Sequence, residues 1–196
     1  MPIDRRSVTR ELRLLLLGVD GLAGEGLAAA LQRVADAAVM VLRAQGAGVM
    51  LADEHDVLRC AAASGPPGRS LATAQERLGA GPALDSFAGD VPVTSRDVTT
   101  DGRWPDLRHL IDRAAVRAVL AAPLTLPGGR PIGALSLHSS RARDWEVGEV
   151  AATMAYAGVV ASLISMALEA RLRGVLLDKL LDALRGVGDL PDAEDG

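Results

Sequence analysis

Residues 116–138 read VRAVLAAPLTLPGGRPIGALSLH, two apolar runs separated by Pro127-Gly128-Gly129-Arg130. Each run, 116–126 and 131–138, has the length of a strand, and the two glycines between them supply the positive φ that a hairpin loop needs. The stretch predicts two long antiparallel strands. Along the second, Leu135 and Leu137 fall on one side while Ala134, Ser136 and His138 fall on the other. One face of the expected sheet is therefore apolar and the other mixed.

Downstream of the hairpin, Asp144 stands where it can cap a long helix, with Glu146 and Glu149 favourably placed in its first turns. The helix is expected to run to about residue 173. Ala151, Ala155, Gly158 and Ser162 recur along it at intervals of three and four, a smooth stripe against which another helix can pack closely. Beyond Gly174, Leu176, Leu177, Leu180, Leu181 and Leu184 extend an amphipathic pattern, and from Gly186 the chain reads as an acidic, disordered tail.

Upstream, Asp101-Gly102-Arg103-Trp104-Pro105 reads as a turn opening a short helix, with Leu107, Leu110, Ile111 and Ala114 as its buried stripe. Val91-Pro92-Val93 reads as an edge strand, because proline cannot donate to a ladder. Pro82 opens another short helix carrying Leu84 and Phe87. Earlier still, Val49-Met50-Leu51 and residues 57–63 predict a hairpin, and Ser64-Gly65-Pro66-Pro67-Gly68 reads as the loop after it. The first helix starts near Glu25, with Leu27, Leu31, Val34, Ala38, Val41 and Leu42 at helical spacing. Gly46 and Gly48 end it.

This order of elements predicts an α+β fold on a central antiparallel sheet. A chain of 196 residues, 49% hydrophobic, suffices for one core. The expected organisation is an N-terminal helical extension over 1–22, one domain over 23–173, and an amphipathic segment with an acidic tail over 174–196. A net charge of −4 gives no attraction to phosphate backbones or anionic lipid, so nucleic acid and membrane are not expected partners. Cys60 is the sole cysteine, which excludes an intramolecular disulfide and fits a reducing, cytoplasmic setting. Arg5 and Arg6 precede an apolar run too short for an export signal. Residues 150–168 carry no charge and approach the ~20 residues that span a bilayer. Their small residues and missing basic anchor predict a helix buried between protein layers instead.

Four pieces, ERLGAGPALD (76–85), DGRWP (101–105), VRAVLAAPL (116–124) and IGALSL (132–137), followed by Asp144-Trp145-Glu146, occur in an order and spacing that resembles a bacterial GAF domain over about residues 25–170. The resemblance is to a subgroup often found ahead of RNA-binding ANTAR or other output domains. Residues beyond 172 are too few for such a module, so an output protein acting in trans is expected. The resemblance implies that the first and last helices pack on one face of the sheet, while short helices and loops close a pocket on the other. It places Trp104, His109, Leu110, Arg113, Arg117, Val119, Ser136 and His138 as candidate pocket walls. Leu31 and Ala38, with Ala151, Ala155, Gly158 and Ser162, form the expected interface of a homodimer.

His109 or His138 could ligate haem as a histidine does in some members of that family, but neither has a second ligand at metal spacing, so no haem or metal is expected. Arg113 and Arg117 could clamp an anion, or be solvated or salt-bridged. Trp104 could form a binding wall or plug its loop against the core. The sequence carries no phosphate loop, nucleophile elbow or metal-spaced histidine pair, and no catalysis is expected. A lone Cys60 lacks the resolving thiol that the methionine sulfoxide reductases of the family use. The family's cyclic-nucleotide series and bilin Cys-His pair are also missing. Three readings remain: a sensor that binds a small molecule and signals through a helical dimer, a dimerisation module with an empty pocket, and, least favoured, a methionine sulfoxide reductase-type enzyme, which would need Cys60 exposed and reactive.

Overall fold

A computed structural model describes residues 22–126 and 129–188, with side chains over 27–126 and 129–169. The expected N-terminal extension, apart from its last residue, and the tail from 189 onward lie outside the described residues. The chain runs α1 (Leu22–Val41), β1 (Gly46–Ala52), β2 (Leu58–Ala63), α2 (Gly65–Leu78), α3 (Pro82–Gly89) and β3 (Val93–Ser95). A single 3-10 turn (Leu107–His109), β4 (Ala118–Thr125), β5 (Pro131–Ser139) and α4 (Val147–Gly188) complete it.

The five strands form one sheet in the order β2-β1-β5-β4-β3, every neighbouring pair antiparallel. The fold is α+β, as expected. The turn between β1 and β2 is built by Asp53, whose Oδ1 accepts the N–H groups of His55 (2.9 Å) and Val57 (3.0 Å). Val93 begins the edge strand, so Pro92 stands just outside the ladder.

Strand alternation divides the interior. Val49, Leu51, Leu120, Ala122, Leu135 and Leu137 point to one face, where Leu31, Ala35 and Ala38 of α1 and Ala157, Val160, Ala161, Ile164 and Leu168 of α4 bury them. Tyr156 links the two helices by donating its hydroxyl to the Val34 carbonyl at 2.8 Å. Met50, Ala134 and Val119 point to the other face, under α2, α3 and the loop that follows β3. The segment Val147–Glu169 is long and apolar enough to cross a membrane on length and composition. Its inner face is a wall of this core, but its outer face is exposed, so within one chain it is not the helix enclosed between protein layers that the sequence predicts.

Four elements differ from the sequence reading. The edge strand, expected over 91–93, runs over Val93–Ser95 instead, because Pro92 cannot donate to the ladder. Residues 64–68 do not form a loop, because Pro66 and Pro67 occupy the first turn of α2, where no N–H is needed. The expected helix after Trp104 shrinks to one 3-10 turn, with Leu110 and Ala114 exposed. Asp112 stops it by turning its carboxylate onto the Ala114 N–H at 2.9 Å. Finally, α4 starts at Val147, not at Asp144, which instead pairs with Arg96 at 2.5 Å. Glu149 supplies the cap, accepting the Glu146 N–H at 2.9 Å while Arg143 grips both its oxygens at 2.8 Å. The helix then continues unbroken through Gly174 to Gly188.

Candidate functional site

Two surfaces bear on function, a closed cleft on the mixed face of the sheet and the outer side of α4. Gly48, Met50, Ser136 and His138 form the floor of the cleft, and Gly68, Leu71, Ala72 and Gln75 of α2 its roof. Cross-strand register makes the floor, pairing Gly46 with His138, Gly48 with Ser136 and Met50 with Ala134. The imidazole of His138 fills the space beside Gly46 that any side chain there would take, since a Cβ would stand 2.0 Å from its Cε1. Gly68 lets the helix descend onto the same ring, since a Cβ there would stand 3.4 Å from His138 Cε1 and 2.8 Å from the Ala47 carbonyl oxygen.

The cleft has no space that a water molecule could occupy. Gln75 is fully buried in it, its Oε1 accepting the Ala83 N–H at 2.8 Å and its Nε2 facing only Met50 Sδ at 4.0 Å. Ser136 Oγ is buried with no hydrogen-bond partner. His138 is 2% exposed, and burial pushes its pKa down to about 4, so the ring is neutral. The chemistry of the cleft is thus neutral and under-satisfied.

The eight residues expected to line one pocket do not converge. Ser136 and His138 reach the cleft, but Trp104 and Val119 belong to a neighbouring packed cluster with Val98, Leu107, Ile111 and Val116. Leu71 touches both regions. Trp104 is a plug: its Nε1 donates to Asp85 at 3.0 Å, and the Arg103 guanidinium sits 4.2 Å above its ring. Arg117 is held by both oxygens of Asp97, and the pairing lowers the Asp97 pKa to about 2. His109, Leu110 and Arg113 lie exposed on the loop outside. The cause is the shortened helix, which leaves these side chains no inward face. Sequence reading missed Gln75 and Asp85; the spacing of Leu71, Ala72, Gln75 and Leu78 was the available signal for α2.

The expected interface residues also separate. Leu31 and Ala38 are buried in the core of their own chain and cannot meet a second copy. Ala151, Ala155 and Gly158 are exposed and Ser162 half-buried, on a face that also carries Val159 (58% exposed), Leu163 (53%) and Met166 (66%). From residue 150 to 168 this helix has no charged side chain. Cys60 is half-buried, and desolvation raises its thiol pKa, the opposite of what a nucleophile needs. Among the described residues no group of His, Cys, Asp or Glu could hold a metal ion.

The profile of the GAF domain family matches residues 24–169. No curated protein matches the sequence. A domain of a putative two-component sensor histidine kinase from Sinorhizobium meliloti 1021 superposes with TM-score 0.62 at 20% identity, over 74% of this chain and 94% of that one. The GAF domain region of a putative membrane protein from Geobacter sulfurreducens PCA gives TM-score 0.57 at 17% identity, over 80% and 99%. A type II free methionine-R-sulfoxide reductase from Thermoplasma acidophilum gives 0.56 at 16%, over 71% and 94%. At these identities the likeness is one of fold. With a profile match across most of its length and this sheet topology, the chain belongs to the GAF domain family, whose members are generally regulatory sensor domains.

Proposed function

We propose that this chain is a cytoplasmic, non-catalytic regulatory GAF module that works as a homodimer, pairing through the outer face of α4 and passing its state to an output protein in trans. The observation that carries the reading is the uncharged outer side of α4, where Val159, Leu163 and Met166 stand exposed around the small residues Ala155 and Gly158. Large apolar side chains contiguous on one helix mark an interaction surface. Small residues between them favour a second helix at close range, and an identical helix in a two-fold arrangement meets the same pattern. The inner face of α4 is occupied by the sheet, so the outer face is the one available. Light scattering on the intact chain tests this. A dimer mass that falls to the monomer in Leu163→Glu supports it, and a monomeric wild type refutes it.

A second reading, a small-molecule sensor, is favoured by the orphaned Ser136 Oγ and neutral His138 under α2. A buried polar atom without a partner costs stability that a hydrogen-bonding ligand would recover. Occupancy would require α2 to lift, since the cleft is filled by Gln75 and Leu71. Native mass spectrometry of gently purified protein separates the readings, because a reproducible extra mass on the dimer identifies a sensor. Reductase activity has the least support, given a single cysteine whose thiol is raised by burial.

A further inference from the structure

We infer that the outward side of α2 is a docking groove for an acidic segment of a partner protein, one that carries carboxylates about two helical turns apart with an apolar side chain between them. An open groove of about 390 Å³ runs along this helix, lined by Pro66, Arg69, Ser70, Thr73, Arg77 and Leu110. It lies on the opposite side of the sheet from α4 and does not depend on the dimer proposed above.

The charges in this groove are uncommitted. Arg59, Arg96, Arg103, Arg117 and Arg143 are all paired with carboxylates. Arg69 and Arg77 are exposed and, among the described residues, bonded to none. They stand eight residues apart on one helix, about 12 Å along its axis. That separation matches acidic side chains roughly two turns apart on a facing helix. Ser70 and Thr73 add hydroxyl donors between the two guanidinium groups.

The apolar element comes from the loop. Leu110 is exposed because the 3-10 turn ends before it, and it forms the far wall beside Pro66. Arg108, His109 and Arg113 stand exposed on the same loop. Of its two carboxylates, Asp112 is turned onto the Ala114 N–H, and Asp106 is exposed. The result is a locally basic groove with an apolar wall on a chain whose net charge is −4, opposite in sign to the rest of the molecule. Guanidinium groups facing a groove select carboxylates in bidentate geometry, and the apolar wall fixes the register between them.

The test is fluorescence anisotropy with a labelled synthetic helical peptide bearing two glutamates about two turns apart and a leucine between them, and with its glutamine twin. The glutamate peptide is expected to bind saturably at low ionic strength and to weaken as salt rises. The glutamine twin, and the variant Arg69→Gln/Arg77→Gln, should each lose about tenfold in affinity. Leu110→Asp should lose at least as much. Equal binding of the two peptides, indifference to the arginine changes, or no saturation below about 1 mM overturns the proposal. Tighter, arginine-dependent binding of single-stranded RNA than of the peptide also overturns it, in favour of a nucleic acid. The arginine variant should keep the wild-type mass, and Leu163→Glu should keep peptide binding, so failure of this groove and failure of the dimer are read separately.

Discussion

The side-chain oxygen Oε1 of Gln75 accepts the backbone N–H of Ala83 at 2.8 Å, fastening the last turn of α2 to the first turn of α3 inside a cleft that excludes water. One amide thereby satisfies a free helix N-terminal donor and fills the space between helix and sheet. Gly81, at φ +146°, lets the chain bend tightly around it, since a Cβ there would lie 2.5 Å from Gln75 Oε1. Replacing Gln75 with leucine keeps most of the volume but strands the Ala83 N–H. The expected loss is about 1–3 kcal/mol in chemical denaturation. Loss of less than a few tenths of a kcal/mol would mean that water reaches the donor.

Trp104 offers a larger effect. Its ring is a core member and its N–H is bonded to Asp85, so Trp104→Ala should cost about 3–5 kcal/mol in the ligand-free protein. Asp85→Ala, which leaves the ring in place, should cost about 1–3 kcal/mol. Urea titrations of both variants check the ranking, which reverses if the indole is held chiefly by its hydrogen bond.

His138 makes stability depend on pH. Its folded pKa lies near 4 against an ordinary value of 6.5, so below pH 6.5 the unfolded chain takes up a proton that the folded chain refuses. Stability from this residue is full above pH 6.5 and declines as pH falls to about 4, by about 3 kcal/mol in all. The pair Asp97–Arg117 acts lower, because the Asp97 pKa is lowered to about 2 and its contribution is lost only as pH falls from its ordinary 3.8 toward that value. Denaturation midpoints between pH 7 and 4 should flatten in His138→Asn and keep their slope in Asp97→Asn.

Gly158→Leu separates assembly from folding. A Cβ at this position meets nothing within its own chain, and leucine favours helix over glycine by roughly 0.8 kcal/mol. The substituted chain should unfold no more easily than the wild type when dilute, yet associate less, because the side chain pushes facing helices apart. Light scattering across a concentration series reads this; an unchanged mass would place the interface elsewhere.

Much of the fold was legible in residues 116–138, because two apolar runs around a glycine loop admit few arrangements. The α1 core stripe was legible for the same reason, periodicity, whereas the core face of α4, made by Ala157, Val160, Ala161, Ile164 and Leu168, was not, because the small residues on its outer side carry the more regular spacing. What escaped was tertiary. Pro66 and Pro67 looked like breakers, although a helix tolerates proline in its first turn, and that concealed Gln75. The spacing of Leu107, Leu110, Ile111 and Ala114 suited a helix, but Asp112 closed the segment onto its own backbone. The pairing of Arg117 with Asp97 joins residues 20 apart in sequence through the loop leading into β4, which no local pattern announces. Leu31 and Ala38 carried the right spacing for an interface but turned inward, since the sheet needed covering first.

The length of α4 has a mechanical consequence. Its 42 residues extend about 63 Å, whereas β4, the strand it chiefly covers, has 8 residues and reaches only about 26 Å. The helix packs on the core as far as Leu168, and residues 169–188 carry it about 30 Å farther, as a lever arm. A tilt of roughly 5° at the seat would swing a point 30 Å farther along by about 3 Å. A repacking too small to notice around Ala157 and Ala161 would thus be enlarged at the far end to about the width of a side-chain contact.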